Sequence, residues 1–167
     1  MPSVPVHYVD LRAFCYATED EKRVEQALRA FVPGPASPEE DDGADETEDG
    51  DRAFEFVELD RETTEGFHGD RILVLSVRLE RADQVRYALS ALAGAEEFDR
   101  LLAELEDRVD DNTAFFVQLD KQGAFRGDVR LGEGITFRAK VEAYPARREK
   151  AVENARETLE RLREGGA

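Results

Sequence analysis

Tryptophan is absent from this 167-residue chain, and cysteine, histidine and lysine are nearly so. The single Cys15 excludes an internal disulfide framework and any multi-cysteine zinc site. With only His7 and His68, a histidine-based metal cluster is excluded as well. No apolar run approaches the length of a membrane span, and no apolar leader follows the first Met. The expectation is a soluble, cytoplasmic protein in a reduced setting, with no membrane partner and no cofactor. Lysine supplies only four of the 23 basic residues and arginine the other 19, against 39 carboxylates. An acidic surface poor in lysine is what a chain carries when it must stay dissolved in concentrated salt, so the composition points to a halophilic source.

The formal net charge of −16 is unevenly distributed. Residues 38–51 hold nine carboxylates and no base. Such a stretch cannot bury enough surface to offset its ordering entropy, so an acidic loop over 36–52 is expected to be mobile. Residues 121–150 run the other way, with eight Lys and Arg against four Asp and Glu. A basic island on an acidic protein needs a reason, and the usual one is a polyanionic partner, most often nucleic acid. The chain is long enough for one domain with a sizeable core, expected over residues 1–165.

Periodicity predicts a strand over Val4–Cys15, with Val9, Leu11, Ala13 and Cys15 on one face. Thr18 and Glu21 read as a capping box for a helix carrying Val24, Leu28 and Phe31, stopped by Pro33-Gly34-Pro35. Strands are expected over Phe54–Leu59 and Ile72–Leu79, with helices around Val85–Leu92 and Phe98–Leu105. A meander of Ala114–Leu119, Ala124–Leu131 and Ile135–Tyr144 follows, turning at Gly132-Glu133-Gly134. A last helix opens at Pro145 and buries Val152, Ala155, Leu159 and Leu162. The order β-α-β-β-α-α-β-β-β-α makes this an α+β protein, a mostly antiparallel sheet with helices packed on one side.

Several constellations could engage RNA. On the last strand Arg138 and Lys140 share the face opposite Ile135, Phe137, Ala139 and Val141, and the meander would bring Arg126 or Arg130 beside them. A solvated face paired with carboxylates is the alternative. Arg147, Arg148 and Lys150 fall in the first turn of the last helix, where the macrodipole disfavours cations. Free N–H groups plus three cations make a phosphate cradle. Lys121 and Gln122 sit in a turn between strands, within reach of phosphate, sugar or base, or serve as ordinary turn residues. His68, in the Gly66-Phe67-His68-Gly69 turn, offers an imidazole for stacking or for anchoring the loop. His7 and Cys15 read as packing residues. No phosphate-loop, zinc-protease or nucleophile-elbow motif occurs, so no catalytic and no metal-binding residues are expected.

Four segments in order resemble one family: Val6–Arg12 with Ala17–Glu21, Gly66–Gly69 ahead of an apolar strand, Leu119–Gln122, and Val141–Ala151. Together they are similar to archaeal RNA-binding proteins described as predicted exosome subunits. The resemblance spans nearly the whole chain outside the acidic loop. Where the family tends to continue the glycine loop with Asn-Pro, this chain has Asp70-Arg71. The resemblance implies an α+β domain similar to a ribosomal protein fold that grips 5S rRNA, acting as an RNA-binding accessory to RNA processing or exosome-mediated degradation. The implied partners are RNA and exosome or other RNA-processing proteins, with homodimerisation open.

A protein-interaction module whose basic face docks an acidic protein or a second copy is the alternative reading, and an RNA hydrolase ranks below both. Near 1 M salt the Debye length falls to about 3 Å, so binding must lean on stacking and short hydrogen bonds. Arginine suits this better than lysine, because its planar group stacks and forks. The acidic loop is expected to compete with RNA for the basic face, so deleting residues 38–51 should tighten RNA binding.

Overall fold

The computed structural model describes residues 4–33, 57–66 and 68–165. Five strands form one antiparallel sheet in the order β2-β3-β1-β5-β4: β1 (Val6–Cys15), β2 (Asp60–Glu65), β3 (Arg71–Leu79), β4 (Ala114–Asp120) and β5 (Gly134–Val141). Among the described residues six helices accompany them: α1 (Glu21–Arg29), α2 (Ala82–Ala93), α3 (Phe98–Ala103), α4 (Leu105–Arg108), α5 (Lys121–Phe125) and α6 (Arg148–Gly165). The expected class and course hold, with an antiparallel sheet and helices on one face.

Alternation explains why only one face is covered. Along β1 the residues Val9, Leu11, Ala13 and Cys15 are buried, as are Ile135, Phe137, Ala139 and Val141 along β5. Both sets face α1 and α2, which lie on β1, and α6, which lies on β5. Phe137 is wholly buried at the centre, edge-on to Phe31 at 6.2 Å and to Phe115 at 6.3 Å. Such edge-to-face pairs add to the burial that drives the layers together.

Four expectations are corrected in detail. The second strand lies at Asp60–Glu65, not Phe54–Leu59: residues 54–56 fall outside the described residues, and Val57–Leu59 form no strand. All six β2 residues are exposed, so this edge strand carries no apolar signal and is held by backbone pairing with β3 and by Arg61, which pairs with Glu21 and Glu25 of α1. Its register comes from the turn in which the Gly66 amide donates to the Asp70 carbonyl at 2.6 Å. The cap of α1 is Asp20, whose carboxylate accepts from the Lys22 amide at 2.9 Å, in place of Thr18.

The expected strand Ala124–Leu131 contributes a single bridge, Leu131 to Leu119, and Lys121–Phe125 is helical. Asp120 ends β4 and caps that helix by accepting from the Gly123 amide at 3.1 Å. The meander therefore does not form, and β4 pairs directly with β5 from Asp120 opposite Gly134. Gly134, at φ +121°, is needed there because a Cβ would come within 2.5 Å of the Lys121 Cβ. Finally, α6 starts at Arg148, since the Arg147 amide turns back to the Pro145 carbonyl at 2.7 Å. The acidic stretch 36–52 lies outside the described residues.

Candidate nucleic-acid interface

Among the described residues no helix covers the opposite face of the sheet. It is built from the alternate residues of the same strands. Register places Arg78 of β3, Asp10 of β1, Arg138 of β5 and Phe116 of β4 side by side in one row across four strands. Arg78 donates from Nε and an Nη to the two Asp10 oxygens at 2.7 and 3.0 Å. Arg138 approaches the same carboxylate at 3.7 Å. Arg78 also lies on the Tyr8 ring, 4.0 Å from its centroid, and Arg138 stands 5.4 Å from that of Phe116. The Asp10 hydrogen bonds, and then its charge, hold the Arg78 pKa above its usual value. The row thus sets one carboxylate between two guanidiniums and ends on a ring, with much of its charge neutralised internally. It flanks a shallow groove of about 430 Å³.

The next row is Ser76, Arg12, Thr136 and Gln118. Gln118 donates to the Thr136 hydroxyl at 3.1 Å. Arg12 projects from the middle of this row, exposed and, among the described residues, without an ion pair. Beyond it Phe14 is 37% exposed, as Phe116 is in the first row. Among the described residues, β3, β1, β5 and β4 therefore offer two open rings, a guanidinium-on-ring stack and one free guanidinium.

The ten residues expected at the site do not converge. Arg138 and Lys140 lie on the open face, as the alternation of β5 predicts, and the Lys140 ammonium donates to the Asn112 carbonyl. Arg147, Arg148 and Lys150 lie where β5 leads into α6. Arg148 donates to the carbonyls of Val109, at 2.7 Å, and Glu106, stapling α6 to α4. Lys150 pairs with Glu153 at 3.6 Å, and Arg147 is exposed.

Lys121, Gln122, Arg126 and Arg130 gather at the opposite end of the sheet, where β1 and β4 finish. His68, exposed in the β2–β3 turn, is at that end too. Because the Ala124–Leu131 strand is absent, Arg126 and Arg130 do not join Arg138. Arg130 instead pairs with Asp120 at 3.2 Å. Lys121 is only 13% exposed and donates to the Phe14 carbonyl and to Glu19, both at 2.8 Å. Burial pushes the Glu19 carboxyl up. The Lys121 hydrogen bond and charge and the Tyr16 amide outweigh it and hold the group below its usual pKa. Burial, with Glu19 beside it, raises the Cys15 thiol, in keeping with a packing role. A second hollow of about 380 Å³ lies here between α1 and α5, lined in part by Arg23, Gln122 and Phe125.

Tyr8, Arg12, Phe14, Arg78 and Phe116 were not singled out from the sequence. The signal was available: the alternation that buries Val9–Cys15 and Ala114–Leu119 assigns these residues to the other face. No helix among the described residues is long and apolar enough to cross a membrane, and no group of three His, Cys, Asp or Glu side chains there could hold a metal ion.

A family model described as RNA binding matches residues 8–141, from the first strand of the sheet to the last. The chain belongs to that RNA-binding family. Its relatives include an RNA-binding protein of Pyrococcus abyssi, 34% identical over 160 residues, covering 92% of this chain and 94% of the relative. An uncharacterised protein of Methanocaldococcus jannaschii is 30% identical over 130 residues, 75% of this chain and 76% of the relative. Among solved structures, a DUF54 protein from Methanothermobacter thermautotrophicus is 38% identical with a TM-score of 0.69, covering 92% of this chain and 98% of that one. The family match spans all five strands and stops before Arg147, Arg148 and Lys150.

Proposed function

We propose that this chain binds RNA without cleaving it, as an accessory to RNA processing or exosome-mediated degradation, and that the open face of the sheet is its RNA surface. Membership of the RNA-binding family supports RNA as the ligand. One observation carries the choice of surface: in a chain of net charge −16, the three central strands set Arg12, Arg78, Arg138 and Lys140 on one face, with Asp10 held between two of them. Flat rings and guanidiniums side by side are the groups that stack on unpaired bases. In this reading Arg138 and Lys140 contact the RNA from the face. Arg147 and Lys150 extend the surface at one end, and Gln122, Arg126 and His68 extend it at the other. Lys121, Arg130 and Arg148, each already bonded within the protein, hold the supporting elements in place.

The test is a titration of fluorescently labelled RNA with the purified protein, followed by recovery of the RNA after incubation with Mg²⁺. Saturable binding with intact RNA is expected. Shortened RNA would turn the reading toward a nuclease. Absence of binding together with self-association would turn it toward a protein-docking face.

A further inference from the structure

Resting on the reading of the sheet face as an RNA surface, we infer that its ligand is an unpaired RNA strand, held by stacking and by few phosphate contacts, and that duplex RNA is a poor ligand.

The first argument is geometric. The flat groups are dispersed over the face. Tyr8, beneath Arg78, and Phe14 are six residues apart on β1, which at about 3.3 Å per residue sets them roughly 20 Å apart. Phe116 is two strands away, β1 to β5 to β4, or roughly 10 Å across the sheet. Bases stacked inside a duplex are covered by their neighbours and cannot be presented to rings this far apart. An unpaired strand can splay its bases and lay one on each platform.

The second argument is electrostatic. Duplex RNA is gripped chiefly through its phosphates and 2′-hydroxyls, which calls for unpaired cations. On this face Arg78 and Arg138 share Asp10 and Lys140 is bonded to the Asn112 carbonyl, so among the described residues Arg12 is the exposed cation left without an ion pair. It stands between Ser76 and Thr136, which carry no charge, so this row offers a phosphate backbone one cation and not a line of them. Asp10 holds the two guanidiniums in place and repels phosphates, which disfavours a backbone laid along the row.

The experiment is anisotropy titration of two labelled probes, a single-stranded oligoribonucleotide of roughly ten nucleotides and the same sequence annealed to its complement. Each is measured from about 0.1 to 1 M KCl, where screening becomes nearly complete. The single strand should bind at least tenfold more tightly. Its log affinity should fall against log salt with a slope shallower than about −2, since each phosphate contact contributes about −0.7. Phe14→Ala and Phe116→Ala should each weaken binding by roughly 5- to 150-fold. Both rings are more than one-third exposed, so thermal melts should match the parent protein and separate lost stacking from lost folding.

Equal or tighter duplex binding, or a slope of about −4 or steeper, overturns the inference and leaves the general RNA-binding reading standing. Unchanged affinity in both alanine variants, with melts unchanged, overturns it as well. Failure of both probes to bind brings down the underlying reading.

Discussion

Lys121, at the start of α5, and Arg12, on β1, carry the same charge in opposite settings. Lys121 stands beside an aromatic ring and a carboxylate, 5.3 Å from the Tyr16 centroid and 2.8 Å from Glu19. Arg12 stands on β1, four residues before that tyrosine, between two hydroxyl residues. Both are cations on paper. Lys121 is enclosed and bonded to the Phe14 carbonyl as well as to Glu19, so its charge is spent on joining α5 to the end of β1. Arg12 is exposed and, among the described residues, unpaired, so its charge is available. The open face and the Lys121 end differ, then, in accessible charge far more than in formal charge.

The contrast can be broken most forcibly from beneath. Phe137→Ala removes a wholly buried ring from the covered face and should cost about 3–5 kcal/mol of stability in urea denaturation. Phe116→Ala, on the neighbouring strand but the open side, should leave the urea midpoint nearly unmoved while costing RNA affinity about 1–3 kcal/mol. A variant in which both substitutions moved the same observable would erase the distinction between the faces.

At the Lys121 end the prediction inverts. Lys121→Met strands the Glu19 carboxylate and the Phe14 carbonyl, and should destabilise by about 1–3 kcal/mol with RNA affinity little changed. The pH dependence follows from the same contact. Glu19 titrates below its ordinary value of 4.5 in the folded protein, so its contribution is present above that pH and is lost as pH falls through the lowered folded value. Urea titrations should show an acid limb that is shallower in Lys121→Met than in the parent. Arg12→Ala should have the smallest effect: a few-fold loss of RNA affinity and a salt slope reduced by about 0.7.

Much of this fold is written in alternation. Val9, Leu11 and Ala13 against Asp10 and Arg12, or Phe137 and Ala139 against Arg138 and Lys140, assign both faces of β1 and β5 without further information. β2 carries no such signal, because Asp60–Glu65 lies exposed at an edge and is recruited by backbone pairing. The segment after Asp120 misleads for a different reason. Ala124, Val129 and Leu131 look apolar and spaced for a strand, but the Asp120 cap starts a helix that local pattern does not distinguish from a turn.

The site was legible as charge and not as access. Which cations remain free depends on contacts such as Lys121 to Phe14, 107 residues apart, and Arg148 to Val109, 39 apart. Such pairings appear only once the chain has folded.

The most direct test is to follow side-chain and amide NMR signals while a single-stranded oligoribonucleotide is titrated into the protein. The account predicts that the largest shifts fall on Tyr8, Arg12, Phe14, Phe116 and Arg138, the open face of β1, β4 and β5. Shifts gathered instead on Gln122–Arg130, or on Arg147–Lys150, with the rings of Phe14 and Phe116 unmoved, would contradict it.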